Sequence, residues 1–326
     1  MREIYYLDAI KEALTQKMEA DEKIFLIGED VGVYGGAFGL TLGMIDKFGK
    51  ERIMDTPISE QGIVGIAIGA ALMGLRPVVE IMFSDFLMLA LEQIANQAAK
   101  IHYMFGGKAS VPLVIRTPGG GGTGAAAQHS QSIEAILNHI PGLKIVMPST
   151  PYDAKGLFIS AIDDPDPVIF IEHKLLYKKV MGEVPEDIYT IPLGKADIKK
   201  EGKDLTVIAT SFMVHKVLKV ADDLLLRGID IEVIDPRTIK PLDLETIINS
   251  VKKTGRVVLV EEACYTGGFT SFLASEIQAN AFDWLDSPIT RITGLDSPIP
   301  YSLALENIVI PSEERIEKGI LEVSNK

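Results

Sequence analysis

The chain has 326 residues, a formal net charge of −13 and 47% hydrophobic residues. This length allows two domains of ordinary size, and the hydrophobic fraction is sufficient for substantial cores. The negative charge argues against nucleic acid as a partner, because no basic surface is available to meet phosphates. The single cysteine, Cys264, excludes a disulfide framework and favours the cytoplasm as the location.

No membrane segment is expected from the sequence. The first eight residues lack the apolar core of a signal peptide. The longest apolar run, residues 63–75, is too short to span a bilayer. We therefore expect a soluble protein.

Apolar runs alternate with helical patterns along most of the chain. Runs rich in Val and Ile predict buried strands at 24–27, 78–81, 113–116, 144–147, 168–171, 205–210, 231–234 and 257–260. Helices are predicted at 8–20, 59–75, 85–105, 152–162, 213–227 and 244–251. This alternation indicates an α/β fold with parallel sheets and right-handed crossovers.

Residues 177–203 interrupt this alternation and show no apolar pattern of a core element. We interpret the segment as a linker that begins at about 177. It divides the chain into an N-terminal domain of residues 1–190 and a C-terminal domain of residues 191–326.

Residues 55–62, Asp-Thr-Pro-Ile-Ser-Glu-Gln-Gly, are the most informative stretch of the sequence. Ser59 is predicted to cap a helix, which places Glu60 in its first turn. The following glycines recur at three- and four-residue steps on one helical face, where another backbone can approach closely. A lone carboxyl in such apolar surroundings should have a raised pKa and be suited to proton transfer. The alternative is that Glu60 only stabilises the helix N-terminus.

A glycine-rich loop, residues 119–124, follows a predicted strand and leads to His129. Such a loop can bind phosphate, but no Gly-Lys-Ser/Thr follows it, so the P-loop form is absent. The loop could instead admit a large ligand and bring His129 to a cleft. It could equally be a surface loop with a bystander histidine.

Two further features have simple interpretations. The acidic cluster of residues 163–166 could bind a cation, although a solvated turn is the more frequent role of such a cluster. Acidic neighbours should raise the pKa of Cys264, which argues against a nucleophile there.

Several motifs in this order resemble one family. They are residues 55–62, Ala-Ala-Leu-Met-Gly-Leu-Arg-Pro at 70–77, Ala-Ala-Gln-His-Ser-Gln at 126–131, Pro-Gly-Leu-Lys at 141–144, Asp-Ala-Lys-Gly-Leu at 153–157, 235–243 and 299–301. The chain resembles, over essentially its whole length, the beta subunit of thiamine-diphosphate-dependent 2-oxo acid dehydrogenases. That family includes the pyruvate, acetoin and branched-chain 2-oxo acid (2-oxoisovalerate) enzymes.

The resemblance implies a fold, an activity and partners. The fold would be an N-terminal pyrimidine-binding domain followed by a C-terminal transketolase-type α/β domain. The enzyme would be an oxidoreductase that cleaves a 2-oxo acid or acetoin and transfers the acyl group to lipoamide on an acyltransferase component. In this family an alpha subunit holds the magnesium and diphosphate through a Gly-Asp-Gly motif, which this sequence lacks. The expected assembly is therefore an α2β2 heterotetramer.

The resemblance also implies roles for individual residues. Glu60 matches the glutamate that hydrogen-bonds the aminopyrimidine ring of the cofactor, and Phe86 matches an aromatic residue packed against that ring. Glu29 and Ile58 match further contacts to the pyrimidine. His129 matches a histidine of the substrate channel, where it would assist proton transfer and reductive acylation of lipoamide.

Two other matches concern a cation and a docking surface. Leu113, Ala161, Asp164 and Asp166 match positions whose oxygens hold a structural potassium ion in some members; a plain turn is the alternative. The acidic segment 282–286 matches a surface that docks the basic peripheral-subunit-binding domain of the acyltransferase.

The residues leave other functions open. Local motifs favour acetoin or pyruvate as the substrate, but segments 148–153 and 170–174 also resemble branched-chain enzymes. A non-enzymatic nucleotide-binding α/β module would use the glycine-rich loop but would leave Glu60 unexplained. A self-sufficient transketolase-like enzyme would need the missing Gly-Asp-Gly.

Overall fold

A computed structural model describes residues 1–324 as two compact units. Unit 1 comprises Met1–Gly119 and Ile136–Leu193, and unit 2 comprises Gly120–Ala135 and the chain from Gly194 onward. The loop of residues 120–135 therefore groups with the C-terminal part of the chain. Within the described residues, no helix is both long enough and apolar enough to cross a membrane.

Unit 1 is built on a parallel sheet. Its strands are β1 (Arg2–Tyr5), β2 (Ile24–Gly28), β3 (Ile53–Asp55), β4 (Arg76–Glu80), β5 (Val114–Gly119), β6 (Lys144–Val146), β7 (Val168–His173) and β8 (Met181–Val184). The sheet has the order β6-β7-β5-β4-β2-β3, and β1 pairs with β8 as a separate antiparallel ribbon. Strands buried along their whole length explain why the sequence shows continuous apolar runs.

The helices of unit 1 connect these strands. They are α1 (Tyr6–Ala20), α2 (Met44–Phe48), α3 (Glu60–Leu72), α4 (Ala99–Met104), α5 (Glu134–Asn138, which begins within the residues of unit 2) and α6 (Pro151–Asp163). The helix α6 starts with a sequence-encoded cap, in which the Asp153 amide donates to Thr150 Oγ1 at 3.1 Å and Pro151 occupies the first turn. The helix α3 ends at Leu72 because Gly74 takes a positive φ of 90°, which stops the helix.

Unit 2 contains a mainly parallel sheet of five strands with order β14-β13-β10-β11-β9. The strands of this unit are β9 (Asp197–Lys200), β10 (Leu205–Ala209), β11 (Ile231–Asp235), β12 (Thr238–Lys240), β13 (Val257–Cys264) and β14 (Thr290–Gly294). The helices are α7 (Phe212–Leu225), α8 (Leu244–Thr254), α9 (Phe269–Ala281), α10 (Leu303–Val309) and α11 (Glu313–Ser324). Only the edge strand β9 runs antiparallel to its neighbour. Apolar side chains of α7 and α11 form one core with the sheet.

All eight predicted strands are present, with ends that differ by a few residues. The predicted continuous helix at 85–105 is wrong. The structure has a 3-10 helix at Ser84–Met88 and a π-helix at Gln93–Ala98 that leads into α4. Ser84 and Asp85 are buried at the start of this region, and such side chains compete with regular helical hydrogen bonds. The segment 177–203 also contains β8 and β9, whose half-exposed edge positions gave no clear apolar pattern.

Candidate active site

The carboxyl ends of neighbouring strands in unit 1 bring several acidic residues into one row. Gly28 of β2 lies opposite both Asp55 of β3 and Glu80 of β4, and Glu80 lies opposite Arg116 of β5. In open α/β sheets this edge is where ligands bind. The predicted cofactor contacts Glu29, Ile58 and Glu60 all follow these strand ends in the sequence.

Glu60 lies at the first position of α3 and is only 8% exposed. Ser59 occupies the N-cap position, as predicted, but its side chain makes no capping hydrogen bond. A Cβ on Gly62 would come within 2.7 Å of Ser59 Oγ, so a larger residue there would displace the Ser59 hydroxyl. The helix N-terminus favours an anion at Glu60.

Glu29 faces Glu60, and the two carboxyls interact. Burial raises the pKa of Glu29, and the negative charges of Glu60 and Asp30 raise it further. A raised pKa favours the protonated form of Glu29, which can donate a proton. The pair is therefore suited to proton transfer.

The other two predicted cofactor contacts have different environments. Phe86 is half-buried in the 3-10 helix, with its ring edge-to-face with Phe83 at 5.8 Å between centroids. Phe83 packs in turn against Phe38 at 5.7 Å. Ile58 is 80% exposed, so its side chain is accessible to a ligand or to another chain.

A buried ion cluster supports this edge of the sheet, and the sequence analysis missed it. Arg116 donates through Nε and Nη2 to the two carboxylate oxygens of Glu172 at 2.7 and 2.5 Å, and through Nη1 to Glu80. The Tyr177 hydroxyl donates to Glu172 at 2.6 Å. Burial raises the pKa of Glu80, whereas Arg116 opposes the shift. The sequence could have indicated this cluster, because Glu80, Arg116 and Glu172 are each a charged residue within an otherwise apolar run.

The buried ion cluster also holds the loop after β2. Glu80 accepts a backbone hydrogen bond from Ala37, and a Cβ on Gly36 would come within 2.9 Å of Glu80 Oε1. Gly36 has a φ of +80° and its amide donates to the Asp30 carbonyl at 2.8 Å. The cluster thereby fixes the chain that follows Glu29.

The predicted potassium residues lie close together at one end of unit 1. The Leu113 carbonyl accepts from the Val168 amide at 2.9 Å, and the Ala161 carbonyl accepts from the Asp164 amide at 3.4 Å. Lys144 contacts both oxygens of Asp164, at 2.6 and 2.8 Å, and an oxygen of Asp166 at 3.1 Å. These oxygens suit a hard cation in type, but the two carboxylates already face an ammonium group.

His129 lies in unit 2, half-buried on the loop that follows the glycines. Its amide donates to the Ala126 carbonyl at 3.4 Å, and Ala126 has a positive φ of 63°. The glycine amides of this loop bind carboxylates of the same unit: those of Gly122 and Gly124 donate to Glu306 at 2.7 and 3.0 Å. Amides that hold a side-chain carboxylate are not free to cradle phosphate, which disfavours the nucleotide-binding alternative.

A cavity of about 670 Å³ lies within unit 2. It is lined by loop residues that include Ser130 and Gln131, by the end of β13 with Cys264, and by residues after β14 that include Asp296. Ser130 is almost fully buried, and within residues 1–324 its hydroxyl has no hydrogen-bond partner. Burial, followed by Asp296 and Glu261, raises the pKa of the Cys264 thiol, which confirms the predicted direction.

The two family models that match the chain define its class. The model for the transketolase pyrimidine-binding domain matches residues 2–179, and the model for the transketolase C-terminal domain matches residues 194–316. A solved split-gene transketolase, described as an inactive beta4 tetramer, has the same fold, with a TM-score of 0.79. It is 24% identical and the match covers 99% of this chain and 98% of that one. The predicted fold class is confirmed.

Similar proteins of known function identify the family within this class. The chain is 47% identical to the beta subunit of an acetoin:2,6-dichlorophenolindophenol oxidoreductase and 48% identical to a 2-oxoisovalerate dehydrogenase beta subunit, both from Bacillus subtilis. It is 46% identical to a pyruvate dehydrogenase E1 beta subunit from Rickettsia felis. These matches cover 97–99% of this chain and 97–98% of the relatives. The chain belongs to the beta subunits of the thiamine-diphosphate-dependent 2-oxo acid and acetoin dehydrogenases, which are oxidoreductases.

The buried ion cluster makes a prediction about stability. Replacing Arg116 by Lys removes the paired donors to Glu172 and leaves buried carboxylates poorly compensated. We expect a loss of about 3–5 kcal/mol in the free energy of unfolding, measured by urea denaturation. Arg2→Lys, at an exposed ion pair with Glu12, is the matched control and should cost less than about 1 kcal/mol. Equal losses in both variants would contradict a special role for the cluster.

The buried carboxyl of Glu134 in unit 2 should make the stability of the protein depend on pH. Burial, followed by the charges of Glu261 and Glu262, raises its pKa from 4.5 to about 8. Between these values the unfolded chain releases the proton while the folded chain keeps it, so stability falls as the pH rises, by at most about 5 kcal/mol. Glu134→Gln should lack this contribution, and its Tm should exceed that of wild type increasingly from pH 5 to 8.5. Exposed Glu314→Gln is the control, and parallel Tm curves for Glu134→Gln and wild type would contradict the shift.

Proposed function

We propose that this chain is the beta subunit of an α2β2 dehydrogenase component that acts on acetoin or pyruvate and passes the acyl group to lipoamide. A branched-chain 2-oxo acid is the alternative substrate, and the cytoplasm is the proposed location. The observation that carries the proposal is buried Glu60 facing Glu29 at the carboxyl edge of the unit 1 sheet.

The residues at this edge fit the aminopyrimidine half of thiamine diphosphate. When bound, the cofactor supplies the carbon nucleophile that attacks the carbonyl of the substrate. Glu60 would hydrogen-bond a ring nitrogen, and Phe86 and exposed Ile58 offer apolar surface to the ring. The magnesium and the diphosphate are assigned to the alpha subunit.

Proton transfer is the chemical contribution of this chain in the proposal. The Glu60 carboxyl would share a proton with the ring nitrogen. Glu29 would favour retention of a proton by the pair, because two adjacent negative charges repel each other. His129, on its loop in unit 2, would exchange a proton with the substrate or with the lipoyl group.

Exposed apolar side chains in unit 1 support an obligate partner. Ile66 and Met73, on and just after α3, are 57% and 84% exposed. Tyr103, Met104 and Phe105 after the π-helix are 60–85% exposed. A Cβ on Gly69 would meet no atom within 4 Å, so α3 is open at this glycine. Apolar surface of this kind is typical of protein interfaces, and we assign it to the alpha subunit.

Two secondary assignments belong to the same proposal. Segment 282–286 would dock the acyltransferase, since Phe282 and Trp284 are more than half exposed beside Asp283. Potassium would bind through oxygens of Leu113, Ala161, Asp164 and Asp166. Because Lys144 faces these carboxylates, binding would require the ammonium group to move.

The role of Glu60 predicts the effect of one substitution. Glu60→Gln keeps the shape of the side chain but cannot share a proton in the same way, so turnover should fall at least about 100-fold. The α2β2 assembly should remain intact by light scattering. Exposed Glu51→Gln removes the same charge from unit 1 and should retain wild-type turnover. Wild-type turnover of Glu60→Gln would reject the assigned role.

Cofactor binding and substrate choice test the proposal as a whole. Calorimetric titration of thiamine diphosphate with Mg²⁺ should give binding to the complex co-expressed with the alpha subunit and none to this chain alone. On that complex, kcat/KM for acetoin or pyruvate should exceed the value for 3-methyl-2-oxobutanoate by about tenfold or more. Tight binding by the isolated chain would refute the divided cofactor site. A preference for the branched substrate would support the alternative.

A further inference from the structure

The glycine-rich loop of unit 2 is held by two acidic side chains of the same unit. Glu306 of α10 accepts from the amides of Gly122 and Gly124, one with each carboxylate oxygen. Glu262 of β13 accepts from the amide of Gly121 through Oε1. We call this arrangement the carboxylate clamp.

The clamp depends on an anion and on glycine. Glu306 is fully buried, and burial of a carboxylate is costly unless hydrogen bonds compensate it. Converging backbone amides form a cradle that does so. A Cβ on Gly121 would lie 3.0 Å from Glu306 Oε1 and 2.5 Å from Ile310 Cδ1. Gly122 and Gly124 have φ values of +85° and +67°, where other residues are strained.

The clamped glycines and His129 belong to one closed loop. The Gly120 amide donates to the Gln131 carbonyl at 3.4 Å, which joins the two ends of the loop around His129. Ala127 and Ser130, on either side of His129, line the 670 Å³ cavity, and so does Glu262 of the clamp. The conformation of the glycines therefore determines both the wall of the cavity and the position of His129.

We propose that Glu306, assisted by Glu262, is a positioning residue that holds the loop so that His129 is presented for the reaction. This inference rests on the role of His129 in the proposed function. Glu306 acts through backbone amides and does not need to touch the substrate or the cofactor. The loop is thus anchored by charge-assisted hydrogen bonds from two separate elements of unit 2.

The test uses Glu306→Gln in the complex with the alpha subunit. The amide oxygen still accepts one glycine N–H, but the NH₂ group cannot accept the other. Hydrogen exchange of peptides covering 120–131 should accelerate about 10- to 100-fold, and kcat should fall by a similar factor with little change in KM. The affinity for thiamine diphosphate should stay at the wild-type value, because Glu29 and Glu60 lie in unit 1. Glu314→Gln, exposed on α11, is the charge-matched control and should change none of these values.

The outcomes separate the clamp from the proposed function. Unchanged exchange in Glu306→Gln, or faster exchange with wild-type kcat, would overturn the positioning role. His129→Ala, measured in parallel, tests the function of the histidine itself, and wild-type turnover there would reject that function whatever Glu306→Gln does. If Glu306→Gln fails to assemble, Glu262→Ala is the second variant, because a glutamine at this position would keep an oxygen that accepts from Gly121. It releases only Gly121, and the same faster exchange and lower kcat are expected from it, whereas wild-type values of both would overturn the clamp.

Discussion

The structure of unit 1 depends on the pairing of Arg116 with Glu80 and Glu172, three charges that lie almost entirely out of water. Each comes from a different parallel strand, with Glu80 and Glu172 near the carboxyl ends of theirs, so the cluster ties β4, β5 and β7 together. Isolated buried charges are strongly unfavourable, whereas the bidentate geometry and the Tyr177 hydroxyl satisfy most of the hydrogen-bonding capacity here. Packing alone would not fix the loop after β2 in one conformation, because the contacts of that loop with the cluster are polar and directional.

Two buried carboxyls of unit 2, Glu306 and Glu134, are stabilised in other ways than the carboxylates of the ion cluster in unit 1. Glu306 is compensated by backbone amides of glycines, and Glu134 is compensated by retaining its proton. These solutions have different consequences. The arginine cluster depends on bidentate hydrogen-bond geometry, an amide cradle requires glycine at particular positions, and a buried carboxyl with a raised pKa makes stability depend on pH. The two units therefore hold their functional loops by different chemistry.

The sequence predicted the strands well because parallel strands buried on both faces leave continuous Val- and Ile-rich runs, as in β10 and β13. It did not predict β8 or the π-helix at Gln93–Ala98, since a half-exposed edge strand and a helix of irregular period leave weak patterns. The burial of Glu60 at the start of α3 could be predicted because Ser59 and the glycines of α3 give a local pattern. Arg116, Glu306 and their partners could not, because each contact joins residues at least 36 positions apart, and a single charge in an apolar run does not indicate its partner.

The carboxyl pair of Glu29 and Glu60 differs from the other buried acids in its surroundings. Glu80 and Glu172 are each paired with the Arg116 guanidinium, and Glu306 accepts hydrogen bonds from backbone amides. In the pair, burial raises the pKa of Glu29 and the charge of Glu60 raises it further, so folding disfavours the charged form of Glu29. In the proposed function, a ring nitrogen of the cofactor would hydrogen-bond Glu60 beside Glu29, and this bond would offset part of the repulsion between the two carboxyls.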